Sequence, residues 1–278
     1  MKGSIIVRGR ESTSAKDPRG IQSVEVGIGI LFAFLSQTEP VKLRDIADKT
    51  GVSPAQAHTY LVSFKRLGLV IQDEDSGKYR LGPLAIDLAI ARMQTFDPLK
   101  SAENFAELLR DQTGLTASLS VMGAFGPTVV LMRDGAEQVY INTRVGTVYS
   151  LTGTATGMAF AAHLTEAEVR QAIALEEAEP KAWRRVGRVR RWETVADDLA
   201  RIREKSFATI HPNPAAGITA IASPVFDHAG QVRMVMTMIG TESNPELKPG
   251  SAACEALLTI TGRMSFELGY AHQAPLLD

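Results

Sequence analysis

The sequence predicts an α+β fold in two domains, and three observations carry that prediction. A chain of 278 residues is longer than a typical single domain, so two is the natural starting count. Its first third holds short amphipathic helices joined through a glycine-containing turn and followed by a β-hairpin. The remainder mixes strand-like runs with helical ones, as in a sheet with flanking helices.

Composition narrows the function classes. The 45% hydrophobic content is ample for two buried cores. No apolar run reaches the roughly 18 residues that span a bilayer, and the first 20 residues lack the apolar stretch of a secretory signal. No membrane partner is expected, and a cytoplasmic location fits. The single cysteine, Cys254, excludes an internal disulfide and any multi-cysteine metal site within one chain; no cofactor is expected. The net charge of −1 hides an asymmetry. Residues 1–85 carry 12 Lys+Arg against 9 Asp+Glu, and residues 86–278 carry 18 against 22. A slightly basic N-terminal part is compatible with a polyanionic partner.

Residues 1–20 show no sustained periodicity and read as a flexible arm, whose five basic residues are either solvated or in reach of phosphates. From Ile21 the pattern is helical: Val24, Ile28, Leu31, Phe32 and Leu35 form one apolar stripe. Gly27 and Gly29 weaken this helix and are either tolerated or used for close packing. Glu39-Pro40 ends it. Leu43, Ile46 and Ala47 then give a short helix an apolar face, and Gly51 stands where the chain leaves it in a left-handed turn. Ser53 opens the next helix as N-cap, with Pro54 at the first helical position and Gln56 three residues on. Ala57, Tyr60, Leu61 and Phe64 form its inner face, and Gly68 its stop. Leu69–Ile71 and Lys78–Leu81 read as two strands around an Asp-Gly-rich turn. A helix, a helix-turn-helix over about 43–62 and a wing over about 69–81 make residues 21–82 a winged helix-turn-helix domain, whose expected partner is double-stranded DNA. The alternative is a winged helix used for protein contacts.

Residues 83–97 continue as a linker helix up to Phe96-Asp97-Pro98, and residues 98–273 form the second domain. There the spacing predicts helices at Leu99–Gln112, Thr165–Glu177 and Thr194–Lys205, and strands at Thr116–Met122, Thr128–Asp134, Gln138–Thr143, Thr219–Phe226 and Gln231–Ile239.

Several ordered motifs resemble the IclR family of bacterial regulators: IQSVE at 21–25, LRDIADKTGVSPAQAHTYL at 43–61, YRLGP at 79–83, LTGTATGMAFAA at 151–162, DLARIREKSFA at 198–208 and GITAIASPVFDHAGQV at 217–232. The resemblance spans about Ile21 to Tyr270. It implies a C-terminal GAF-like effector-binding domain with a central antiparallel sheet, and assembly as a homodimer or homotetramer. A transcriptional regulator is then expected, binding a palindromic operator and sensing a small organic acid.

The helix opened by Ser53 is expected to enter the major groove with its first turns against base edges. Ala55, Gln56 and Thr59 are not needed for the core. Gln56 can read adenine, unless its amide completes the cap of Ser53. Thr59 departs from the family, where arginine is common, so phosphate contacts fall to Arg44, Lys65, Arg66, Lys78 and Arg80; Lys65 and Arg66 read equally as solvated. His58 is expected to be packed or backbone-bonded.

For a ligand, the small residues and hydroxyls of 152–157 leave room and polar partners at a helix start. The resemblance places effector contacts at Thr154, Ala155 and Thr156, with Ile210, His211, Ala220 and Thr237 on the facing wall. Ala220 with Met234, Met236 and Met238 would make that wall apolar and deformable, although strand alternation lets at most some of those methionines line it, and His211 or Thr154 would meet a carboxylate. His211 is otherwise merely exposed beside a core wall. The stretch 183–192 sets five arginines between two tryptophans. It reads as a solvated or subunit-contact loop, as a surface for nucleic acid or an acidic partner, or as a source of an arginine for the pocket. An enzyme on a GAF-like fold is the remaining rival. The sequence gives it no P-loop lysine, no Gly-x-Ser-x-Gly and no zinc motif.

Overall fold

The computed structural model describes residues 20–35, 37–136, 143–178, 185–209 and 217–270. The expected arm, apart from Gly20, and the expected strand at 138–143, apart from Thr143, lie outside them. The chain divides into two compact units, Met1–Phe96 and Asp97–Asp278.

The first unit runs α1 (Gln22–Phe32), α2 (Leu43–Thr50), α3 (Pro54–Arg66), β1 (Val70–Gln72), β2 (Tyr79–Leu81) and α4 (Pro83–Thr95). Its core gathers Ile30, Phe34, Val41, Ile46, Leu61, Val70 and Tyr79. Gly51 ends α2 at φ 72°, the left-handed conformation that a Cβ disfavours, and its N–H closes on Ala47 O at 2.9 Å. Ser53 caps α3, its Oγ accepting from Gln56 N at 3.2 Å. β1 and β2 pair antiparallel, Ile71 opposite Arg80, to make the wing.

The apolar stripe read along α1 is not the face that packs within this chain. Val24, Ile28 and Phe32 are 57%, 44% and 47% exposed, while Gly27, Ile30, Ala33 and Phe34 are buried. Gly27 is a close-packing position, since a Cβ there would press on Phe64 and Tyr60 of α3; Gly29 has open space around it. None of α4 is buried either: Ile86, Leu88, Ile90 and Met93 all lie exposed. At its start α4 is fastened to the Gly68-Leu69 connection that follows α3. Gly82 N donates to Leu69 O at 2.8 Å and Leu84 N to Gly68 O at 3.2 Å. A Cβ at Gly82 would run into the Gly68 carbonyl oxygen.

The second unit contains α5 (Pro98–Thr113), β3 (Thr116–Gly123), β4 (Gly126–Arg133), α6 (Ala155–Ala161), α7 (Glu166–Ala178), α8 (Trp192–Lys205), β5 (Ala208–Thr209), β6 (Ile218–Phe226), β7 (Val232–Thr241) and α9 (Ala252–Glu267). The strands form an antiparallel sheet in the order β4-β3-β7-β6-β5. Strand side chains alternate between faces, and the two faces carry separate cores. Leu119, Ile221, Met236 and Met238 pack with Leu109 of α5 and Leu257 and Ile260 of α9. Ala222 and Val235 pack on the other side with Met158 and Phe160 of α6, Val169 of α7 and Leu199 of α8. The sequence reading did not include α9.

Candidate functional site

In the first unit, α3 exposes Ala55, Gln56 and Thr59 together with Lys65 and Arg66 at its end. Ser53 is exposed at its start, Arg44 on α2 and Arg80 on β2, whereas Lys78 is half-buried. Besides the Ser53 cap, two of these side chains already have partners. Thr59 Oγ1 donates to Ala55 O at 3.0 Å, and Lys65 Nζ donates to Gln72 Oε1 on the wing at 2.8 Å. Gln56 is different: its backbone N–H serves the Ser53 cap, and among the described residues its side-chain amide makes no return bond. The amide is therefore available to a base edge. His58 is exposed rather than packed.

In the second unit, a cavity of about 1160 Å³ opens between α6, α8 and the sheet. Thr154, Ala155, Thr156, Ala220 and Thr237 all line it. Ile210 and His211 lie outside the described residues. The hydroxyls of Thr154 and Thr156 have prior engagements. Thr154 Oγ1 donates to Ser150 O at 3.0 Å and accepts from Gly157 N at 2.9 Å, capping α6. Its one proton is thus committed, so it is not placed to donate to a carboxylate. Thr156 Oγ1 and Thr237 Oγ1 share a hydrogen bond of 2.8 Å. Buried Glu176 of α7 holds the preceding loop, accepting from Leu151 N at 2.7 Å.

The methionine wall is a correction. Met234, Met236 and Met238 pack in the core with α5 and α9, on the sheet face opposite the cavity. All three share one parity along β7, so the alternation that brings Thr237 and Ile239 to the cavity turns all three away. The apolar lining comes instead from Met158, Ile202, Phe207, Ile218 and Ile239.

Sequence reasoning offered an arginine of the 183–192 stretch for the pocket but left out the charged residues of α8. Asp198, Arg201 and Lys205 of α8 border the cavity with Ile202. Their spacing of three and four places them on one helical face, a signal the sequence did contain. Arg188 and Arg190, from the arginine-rich stretch, border it too. That stretch is laid against the 152–154 loop. Thr152 Oγ1 donates to Arg190 O and accepts from Arg190 N, both at 2.8 Å. Gly153 passes so close to the Arg188 backbone that a Cβ would overlap it. Asp198 pairs with Arg190 at 3.1 Å and with Arg201. Burial raises the Tyr149 phenol above its ordinary pKa, so this lining side chain is neutral near pH 7. Among the described residues no group of metal-ligating side chains is assembled, and no helix is long and apolar enough to cross a membrane.

Comparison with known proteins decides between the rival readings. Residues 91–256 match the family description "Bacterial transcriptional regulator IclR C-terminal", and residues 23–74 match "IclR helix-turn-helix domain". The chain belongs to the IclR family. This IclR-family member is 26% identical to the HTH-type transcriptional regulator XynR of Escherichia coli K12 over 218 residues, covering 78% of this chain and 85% of XynR. It is also 26% identical to the E. coli K12 HTH-type transcriptional regulator KdgR, over 94% of this chain and 97% of KdgR. Among solved structures, Pseudomonas aeruginosa HmgR superposes with a TM-score of 0.72 at 32% identity, covering 91% of this chain and all of HmgR. The IclR chain is thus a DNA-binding transcriptional regulator rather than an enzyme. Its winged helix and antiparallel sheet domain are the expected α+β pair.

Proposed function

We propose that this IclR-family regulator binds a palindromic operator as a homodimer, or as a pair of such dimers making a homotetramer. A small organic acid held in the cavity at α6 sets how tightly it binds. The observation that carries the reading is the cavity itself. It is large, lined inside by apolar side chains and threonines, bordered by more cations than carboxylates, and built on the loop where the sequence motifs place effector contacts. Among the described residues, four lining cations, Arg188, Arg190, Arg201 and Lys205, stand against one carboxylate, Asp198.

On the DNA side, α3 lies in the major groove with Gln56 toward the bases, and Arg44, Arg66, Lys78 and Arg80 meet phosphates. With Lys65 tied to the wing, few cations remain, so the salt dependence of binding is shallow. Dimerisation is supported by the apolar faces of α1 and α4. Helices that leave Val24, Ile28, Phe32, Leu88 and Met93 to solvent are poor free-standing structures and gain by covering one another in a second copy. A regulator of this kind works in the cytoplasm, where its operator is. The effector acts through a coupling free energy of about 1–3 kcal/mol between cavity and operator.

The test is a gel shift against the promoter regions flanking the gene, repeated over a salt series, with organic acids chosen by thermal-shift screening. Sequence-specific retardation that changes with a stabilising acid is the expected result. Retardation indifferent to every acid that stabilises the protein overturns the sensing half, and absence of specific retardation overturns the operator half.

A further inference from the structure

We infer that Arg188 is the anion-recognising residue of the cavity, and that the ligand is an amphipathic organic anion with a body of aromatic size rather than a two- or three-carbon acid. The inference rests on the cavity being a ligand site and names what that site selects.

The charge arrangement singles out Arg188. Asp198 receives both Arg190 and Arg201, and Arg190 also donates to Thr194 O at 3.0 Å. Among the described residues, no carboxylate or carbonyl meets the guanidinium of Arg188. It is nevertheless not a random surface arginine. Its backbone is pinned over the effector loop by the close approach of Gly153 and by the paired bonds between Thr152 and Arg190. A fixed backbone lowers the entropic cost of presenting a side chain at one spot. The planar guanidinium fork suits a carboxylate or sulfonate and sheds water more readily than the Lys205 ammonium.

The apolar arrangement sets the size of the ligand. The lining residues Met158, Ile202 and Ile239 are buried, whereas Arg188, Arg201 and Lys205 are exposed. The buried lining thus joins apolar side chains to threonines whose hydroxyls are engaged within the protein, and the cationic lining lies at the exposed edge. Its volume of about 1160 Å³ lies just above the roughly 300–1,000 Å³ of pockets that hold drug-sized ligands. A very small acid would leave that interior in contact with water and gain nothing from its apolar side chains. A ligand with a ring system inward and an anionic group outward satisfies both ends.

A matched pair of fluorescent probes tests this on the full-length protein: 8-anilino-1-naphthalenesulfonate and its uncharged counterpart N-phenyl-1-naphthylamine, which has the same apolar body without the anion. The wild type is expected to bind the sulfonate at least tenfold more tightly, with added salt weakening only the sulfonate. Arg188→Gln should weaken the sulfonate about tenfold, equivalent to about 1.4 kcal/mol, and leave the neutral probe within twofold. Arg188→Lys should fall between. Arg188 is exposed, so thermal unfolding of the variants should match the wild type. Equal affinity for the two probes, or a sulfonate affinity unchanged in Arg188→Gln, overturns the inference. Ala220→Trp, which fills the cavity, separates the two levels of failure. If it abolishes binding of both probes while Arg188→Gln has no effect, the cavity stands and Arg188 is the wrong residue. If it alters neither probe, or if the wild type binds neither, the cavity reading falls with the inference.

Discussion

Thr156 on α6 and Thr237 on β7 join hydroxyls at 2.8 Å, both side chains almost wholly buried. The bond ties the loop-helix element of the cavity to the central strand of the sheet. Replacing either threonine by valine leaves the other hydroxyl unpaired in a dry setting, which costs about 1–3 kcal/mol. Thr237→Val alone and Thr156→Val alone should each lower the urea midpoint. The double variant should cost less than their sum, because no orphan remains. Additive losses in that cycle would show that the bond contributes nothing specific.

Gly153 lies under the Arg188 backbone with no room for a Cβ. Gly153→Ala must push the 187–190 segment away, an overpacking cost of about 1–3 kcal/mol. Ligand binding should weaken along with stability, since Arg188 moves. A variant of wild-type melting temperature would mean that the loop yields freely.

On α3 the free amide of Gln56 and on β2 the exposed Arg80 predict opposite signatures. Gln56→Ala should relax preference at one base pair by about 1–3 kcal/mol while leaving the others intact. Arg80→Ala should weaken all sequences alike and reduce the salt slope by about 1. Selection of bound sequences from a random pool, with binding measured at several salt concentrations, reads both.

Phe32, the last residue of α1, is 47% exposed on the uncovered stripe. Phe32→Glu should leave the fold of the chain intact, because nothing within it packs there closely, yet shift the species seen by analytical ultracentrifugation toward monomer. An unchanged assembly would place the subunit contact elsewhere.

His163 stands edge-on to the Phe226 ring, centroids 4.8 Å apart. Burial, with a smaller contribution from the nearby Arg203 charge, pushes its imidazole down to about 4 from an ordinary 6.5. The folded state thus favours the neutral ring. Its contribution to stability is fully present above pH 6.5 and declines as pH falls from 6.5 toward 4, where the unfolded chain binds the extra proton. His163→Phe should flatten the stability profile over that window, measured by urea unfolding at several pH values. Asp227 has a lowered carboxyl pKa through bonds from Gln231, Arg233 and Ala229 that outweigh its burial. Its stabilisation is lost only below the ordinary carboxylate range, so the two effects separate.

The helix-turn-helix was legible because its signals are local. A capping serine, a first-turn proline and a left-handed glycine each act within a few residues. The α1 stripe shows the limit of periodicity: spacing reveals an apolar face but not which of two such faces the chain itself covers. The family resemblance puts Thr237 on the wall, and strand alternation, which lets only some of the methionines face a pocket, turns all three away from the cavity when their common parity along β7 is followed. The charge at the cavity mouth depends on the 185–191 segment folding over residues 152–154. That contact joins positions more than thirty residues apart, and no sequence spacing encodes it. The α8 charges were readable, since Asp198, Arg201 and Lys205 keep a helical interval.

The junction at Gly82 has a mechanical corollary. The start of α4 is bonded to Gly68 and Leu69, just past the end of α3, with no space for even a methyl group at Gly82. Thirteen residues of α4 make an arm of about 20 Å, so a ten-degree tilt moves its far end by roughly 3 Å. The near end of that arm is held to the segment that directly follows α3, so a tilt of α4 bears on that segment first.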